Sequence, residues 1–274
     1  MKLTNNISHH DLTVAYGGLR ANSDVSITVE KGKLVGLIGP NGAGKTTFID
    51  AITGYTPVTS GTATFAGRDL APLSPAKRSR SGLVRTFQSL ELFEDLTVWD
   101  NLLVMAESSK WWSFLADIFR PLRTSGIESK AEESLELLGL SHLRDRLTLD
   151  LSHGQRKLVS VARGLAANPE LLLLDEPAAG LDTAESQQLG ILLRRIVDSG
   201  TTIFLIDHDM GLVLSVCDYI YVLDFGQIIA EGTPSEVRND PAVIKAYLGE
   251  STGEMQAAEG EEASRALRGE GEGR

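Results

Sequence analysis

Short apolar runs divided by glycine turns occupy both ends of the ordered pattern, and helix-period runs fill its middle. Asp11 to Tyr16 and Ser23 to Val29 alternate apolar with polar positions around Gly17-Gly18, which predicts two strands and a tight turn. Glu30-Lys31-Gly32-Lys33 turns into the apolar strand Leu34 to Ile38, and Thr47 to Ile52 predicts a helix that stops near Gly54. After a loop marked by Pro57 and Gly61, Thr62 to Ala66 is expected to form an edge strand before a turn at Gly67-Arg68-Asp69. Ser74 to Arg78 starts a helix with proline in its first turn, and Leu83 to Phe87 is a short strand. From about Leu90 to Val161 strand signals fade. Val98 to Ala106 and Lys130 to Leu138 there carry apolar residues at helical spacing. Leu171 to Leu174 is apolar throughout, as strands buried on both faces are, and Thr201 to Ile206 is expected to be another buried strand. Ala184 to Val197 is an amphipathic helix, and Tyr219 to Leu223 with Gln227 to Ala230 predicts a hairpin across Phe225-Gly226. Strands alternating with helices imply a parallel α/β sheet.

Composition sharpens the boundaries. Residues 1–250 are expected to form one domain interrupted by a helical insert over roughly 90–161. Ser251 to Arg274 is rich in Glu, Gly, Ala and Ser and nearly empty of large apolar residues, so a disordered acidic tail is expected. The formal net charge of -11 without a basic cluster disfavours nucleic acid as a partner. Cys217 is the one cysteine, so no intrachain disulfide can form, which suits a reducing compartment. No apolar stretch approaches the roughly 20 residues that span a bilayer, and Met1-Lys2-Leu3-Thr4-Asn5-Asn6 has no signal-peptide core. Work at a membrane would go through a partner.

The candidate chemistry centres on Gly39-Pro40-Asn41-Gly42-Ala43-Gly44-Lys45-Thr46-Thr47, placed between a strand and a helix with the G-x-x-x-x-G-K-T spacing of a phosphate-binding P-loop. Glycines let consecutive N–H groups turn inward on a phosphate chain, and the helix N-terminus adds its positive end. Lys45 supplies a charge for the β- and γ-phosphates, and the Thr46 hydroxyl is a Mg²⁺ ligand. Leu171-Leu172-Leu173-Leu174-Asp175-Glu176-Pro177 delivers two carboxylates to the C-terminal end of a buried strand, where α/β sheets bind ligands. Asp175 is assigned to Mg²⁺, and Glu176 to orienting or deprotonating the attacking water. Leu151-Ser152-His153-Gly154-Gln155 opens a helix with a second set of anion-binding groups, Ser152 also capping it. Three other motifs are discounted. Asp224-Phe225-Gly226 is a hairpin turn, since the kinase glycine loop and H-R-D segment are absent. His9-His10 is expected to be an exposed polar pair. Asn6-Ile7-Ser8 is a glycosylation sequon irrelevant to a cytosolic protein.

In this order the three motifs resemble the Walker A, signature and Walker B segments of ABC transporter ATPase subunits, a likeness that runs from Leu12 to about Gly249. Gln88 matches the Q-loop glutamine that contacts Mg²⁺ and senses the transmembrane partner. Gly180-Leu181-Asp182 matches the D-loop, His208 the switch histidine at the γ-phosphate, and Tyr16 the aromatic that stacks on adenine. The chain is most similar to the branched-chain amino acid uptake group. The marks are Arg85-Thr86-Phe87-Gln88, Leu96-Thr97-Val98, Asn101-Leu102-Leu103-Val104, Ala178-Ala179-Gly180-Leu181 and Asp207-His208-Asp209-Met210. His153 stands where most of the wider family has Gly, and Asp207 where Glu is commoner. The resemblance implies a P-loop NTPase (RecA-like) parallel sheet with an N-terminal antiparallel β subdomain and an inserted helical subdomain. It also implies ATP and Mg²⁺ as ligands, and head-to-tail dimers in which Ser152, Gly154, Gln155 and Asp182 help enclose the nucleotide. The implied partners are membrane permease subunits, a second ATPase subunit and, indirectly, a solute-binding protein, at the cytoplasmic face of the membrane. Urea or short amides are the alternative cargo, and a non-transport ABC ATPase of DNA repair or translation is the alternative class. The aromatic run Trp111 to Arg120 is expected to pack within the helical lobe or to face the permease or the membrane surface.

Overall fold

The computed structural model of the protein describes residues 5–86, 92–107 and 125–247. Gln88, Trp111 to Arg120 and the tail from Ser251 lie outside them. The N-terminal strands are longer than the alternation alone suggests: β1 (Asn5–Tyr16) and β2 (Leu19–Glu30) form an antiparallel ribbon turning at Gly17. β3 (Leu34–Ile38) and α1 (Lys45–Thr53) follow, then β4 (Ser60–Phe65) and the two-residue β5 (Arg68–Asp69). The first sheet has the order β2-β1-β4-β5. β4 is therefore not the edge strand expected, because Arg68 and Asp69 continue past the Ala66-Gly67 turn and pair with Phe65 and Thr64.

The second sheet adds β6 (Leu83–Thr86), β7 (Leu171–Asp175), β8 (Thr202–Ile206), β9 (Tyr219–Asp224) and β10 (Gln227–Gly232) in the order β10-β9-β3-β8-β7-β6. Its strands are parallel except β10, which closes the hairpin with β9. The apolar strands bury both faces by simple alternation. Leu34, Ile38, Leu172, Leu174, Ile203 and Leu205 enter one core. Val35, Leu37, Leu171, Leu173, Phe204 and Ile206 enter the other, beneath the antiparallel sheet and α1. Each fully buried Leu, Ile or Phe contributes about 1.5–3 kcal/mol.

α2 (Pro75–Arg80) precedes β6, with its proline at the first turn. Between β6 and β7 lie α3 (Val98–Glu107), α4 (Ser125–Leu137) and α5 (His153–Ala166), packed on one another. α6 (Thr183–Asp198), α7 (Met210–Val216), α8 (Pro234–Arg238) and a further helix over 241–247 complete the described residues. No helix of the described residues is long and apolar enough to cross a membrane.

His9 overturns the expectation of an exposed pair. Strand alternation turns Ile7 and His9 inward and leaves His10 exposed. The His9 ring meets Phe48 of α1 edge-on at 5.3 Å. Burial penalises its charged form and pushes its pKa down to about 3.

Candidate functional site

The glycine loop leaves β3 at the C-terminal edge of the parallel sheet and ends in α1. Its path is available only to glycine at two points. Gly39 has φ 157°, and a Cβ there would stand 2.0 Å from the Leu223 carbonyl oxygen; at Gly44, φ 102°, it would stand 2.5 Å from that of Ala21. Neighbouring elements clasp the loop. Asn22 Nδ2 donates to the Gly44 carbonyl at 3.2 Å, and the Gly226 N–H donates to the Ala43 carbonyl at 2.8 Å. The Asp224-Phe225-Gly226 turn is thus a buttress of the loop, as well as the hairpin turn expected. Lys45 is buried and folds back, donating to the carbonyls of Gly39 at 2.5 Å and Pro40 at 3.0 Å. Asn41, Gly42 and Thr46 are exposed, and Thr47 is half-buried.

Sheet register places the carboxylates. Leu37, Ile206 and Asp175 share one row across β3, β8 and β7, so Asp175 lies two strand spacings, roughly 10 Å, from the strand that feeds the loop. The gap is bridged by Arg85 of β6. Its Nη1 donates to Asp50 Oδ1 of α1 at 2.6 Å and its Nη2 to Asp175 Oδ2 at 2.7 Å. Asp50 follows Thr46 by four residues on the same helix face. The next residue, Glu176, takes the left-handed conformation with φ 48°, which costs a non-glycine residue about 1–3 kcal/mol. Its backbone is held on both sides: its N–H donates to the Ile206 carbonyl at 2.7 Å, and its own carbonyl accepts from the Ala179 N–H at 3.2 Å and from Lys157 Nζ at 3.4 Å. The twist brings Glu176 Oε2 to 3.6 Å from His208 Nδ1.

Beneath this pair lies Asp207, fully buried, accepting from the N–H groups of Ala178 at 3.1 Å and Asp209 at 3.0 Å. Burial pushes its carboxyl pKa up, and the two N–H donors pull partly back. Lys157 is shifted down by burial, against the attraction of Asp207, Glu176 and Asp175. Asp175 and Thr46 offer hard oxygens, the donor type that suits Mg²⁺. No group of three or more His, Cys, Asp or Glu among the described residues forms a cage for a metal by itself.

A second set of predicted residues sits elsewhere, at the tip of α5. Ser152 caps the helix reciprocally with Gln155: the Gln155 N–H donates to Ser152 Oγ at 3.2 Å, and Gln155 Oε1 accepts from the Ser152 N–H at 3.0 Å. Asp182 caps α6 in the same way with Glu185. The two tips touch. His153 Nε2 lies 3.4 Å from the Ala179 carbonyl oxygen, and a Cβ on Gly154 would meet Glu185 Oε1 at 2.5 Å. Tyr16 ends β1 half-exposed, with its hydroxyl 3.3 Å from Thr56 Oγ1. Gln88 lies outside the described residues.

Sequence reading missed the roles of Arg85, Asp50, Lys157 and Asn22. A signal for Arg85 was present: a cation in the strand Leu83-Val84-Arg85-Thr86 must be paired if that strand is buried. The carboxylates that pair it come from elements 35 and 90 residues away.

A model of the ABC transporter family matches residues 22–179, and one of the branched-chain amino acid ATP-binding cassette transporter matches residues 227–252. The chain is 40% identical over 245 residues to the high-affinity branched-chain amino acid transport ATP-binding protein BraF of Pseudomonas aeruginosa, covering 88% of this chain and 96% of that one. It is 38% identical over 240 residues to the lipopolysaccharide export system ATP-binding protein LptB of Escherichia coli K12, covering 88% and 95%. The solved ADP conformation of MJ1267, an ATP-binding cassette of an ABC transporter, superposes with a TM-score of 0.79 at 35% identity, covering 90% of this chain and 99% of that one.

Proposed function

The chain belongs to the ABC transporter ATP-binding family as an ATPase subunit, and from that premise we propose that it powers uptake of branched-chain amino acids through a membrane permease. The resemblance to BraF and the match of residues 227–252 favour this cargo over lipopolysaccharide, urea or short amides. In this reading the cassette works at the cytoplasmic face of the membrane, and a solute-binding protein acts on it indirectly.

The glycine loop wraps the ATP phosphates, and Lys45 leaves the Gly39 and Pro40 carbonyls to meet the β- and γ-oxygens. Tyr16 stacks on adenine. Thr46, Asp175 and Gln88 would hold Mg²⁺, which would neutralise charge building on the phosphates. A water attacks the γ-phosphorus in line with the ADP leaving oxygen, and its proton passes to the carboxylate of Glu176. His208 steadies the γ-phosphate beside it. The observation that carries this assignment is the 3.6 Å approach of Glu176 to His208 at the end of β7, sustained by a left-handed backbone.

Ser152, Gly154 and Gln155 then serve the nucleotide of a facing ATPase subunit, with Asp182 beside them. Blocking hydrolysis should trap that arrangement. Glu176→Gln, mixed with its natural ATPase partner and ATP-Mg²⁺, is expected to run as a dimer in light scattering and as a monomer without ATP. A folded variant that stays monomeric at saturating ATP would overturn the scheme.

A further inference from the structure

We propose that Arg85 is the counter-cation of the nucleotide site: its guanidinium offsets Asp175, so that a divalent cation enters only together with the phosphates of ATP. The inference rests on the reading that Asp175 holds Mg²⁺. Arg85 and Asp175 have side chains only 7% exposed each. Asp50, at 31%, is gripped by the other arm of the same guanidinium, with Thr53 Oγ1 3.3 Å from Nη1. Two carboxylates from α1 and β7 therefore flank a gap filled by one cation. With Asp175 buried and Asp50 only partly solvated, that pair favours positive charge between it, and either the guanidinium or a dication can supply it.

With Arg85 in place the three groups sum to a single negative charge, and a dication approaching Asp175 is repelled by the guanidinium at close range. Phosphate oxygens must supply the missing attraction. Without Arg85, two carboxylates and the hydroxyl of Thr53 would face one another as a set of hard oxygen donors. The planar fork suits this task better than a lysine, because each arm holds one carboxylate oxygen and leaves the second oxygen of Asp175 for the metal.

The test uses Mn²⁺ as the probe and reads free Mn²⁺ by electron paramagnetic resonance on the full chain. The unaltered protein without nucleotide should leave Mn²⁺ free at concentrations where, with a non-hydrolysable ATP analogue, it binds about one equivalent. Arg85→Met should gain a nucleotide-free Mn²⁺ site at least about tenfold tighter than any in the unaltered protein, and adding Asp175→Asn should abolish it. Arg85→Gln provides a second neutral variant should Arg85→Met not fold. A purely structural brace would lower the unfolding midpoint and create no such uptake. Tight nucleotide-free binding by the unaltered protein, or a folded Arg85 variant with unchanged Mn²⁺ affinity, overturns the proposal. If Asp175→Asn alone leaves Mn²⁺ uptake with the ATP analogue unchanged, the metal assignment itself fails. If that variant loses uptake while the Arg85 variants gain none, only the counter-cation role fails.

Discussion

The glycine loop and the tip of α5 are both helix N-termini to which the proposed function assigns anion binding, yet they differ in what surrounds them. The loop is enclosed by its own chain: β2, the β9–β10 turn and α1 clasp it, and Lys45 is already folded over its carbonyls. At the α5 tip Ser152 and His153 are exposed; Ser152 and Gln155 cap each other reciprocally, and the His153 ring lies against the Ala179 carbonyl. One region has most of a binding site within a single subunit. In the proposed function the other serves the nucleotide of a facing subunit. The contrast supports the proposal that the cassette acts in pairs.

The sharpest way to break the comparison is to add one methyl group to each region. Gly39→Ala drives a Cβ onto the Leu223 backbone carbonyl at 2.0 Å, in a backbone conformation that alanine resists, and should cost on the order of 3 kcal/mol or more of stability. Gly154→Ala meets only the movable end of Glu185 and should cost under about 1 kcal/mol. Urea unfolding midpoints decide it; equal losses would mean that the α5 tip is as enclosed as the loop.

A smaller effect separates nucleotide binding from its completion. Lys45→Ala should weaken ATP binding to the isolated subunit roughly 10- to 100-fold, the worth of one charge-assisted contact. Ser152→Ala should leave that affinity unchanged, cost about 1 kcal/mol of helix capping, and lower turnover only where cassettes pair. Fluorescent-nucleotide titrations of the monomer measure the first pair of numbers, and ATPase rates against protein concentration the last. An equal loss of monomer affinity in both variants would erase the distinction between the regions.

The smallest effect tests the packing under the loop. His9 stays neutral in the fold down to a pH of about 3, whereas the unfolded chain takes up the proton near 6.5. The unfolded state therefore binds more protons in that window, and stability falls as pH drops through it. His9→Phe, keeping the edge-on contact with Phe48, should remove roughly 1 kcal/mol of the stability lost between pH 7 and 5.5. Unchanged pH dependence of urea unfolding in the variant would show that the ring is not held neutral beneath α1.

Much of the fold was legible because its signals are local. The apolar run Leu171 to Leu174 and the largely apolar Thr201 to Ile206 specify strands buried on both faces, and Ser152 with Gln155 specifies a helix start. Legibility failed where the decisive neighbour is distant in sequence. His9 reads as polar until strand alternation turns it onto Phe48. Thr62 to Ala66 reads as an edge until Arg68 and Asp69 pair outside it.

The sequence by itself determined the kinds of groups available: a glycine loop ending in Lys45 and Thr46, carboxylates at 175 and 176, and a serine-led helix start. Those follow from residue type and short spacing, which act within a turn or a strand. Only the tertiary structure decided which charges meet. Arg85 joins Asp50 to Asp175, Lys157 reaches Glu176, and Glu176 turns toward His208, because sheet order and helix packing, not chain proximity, set those distances.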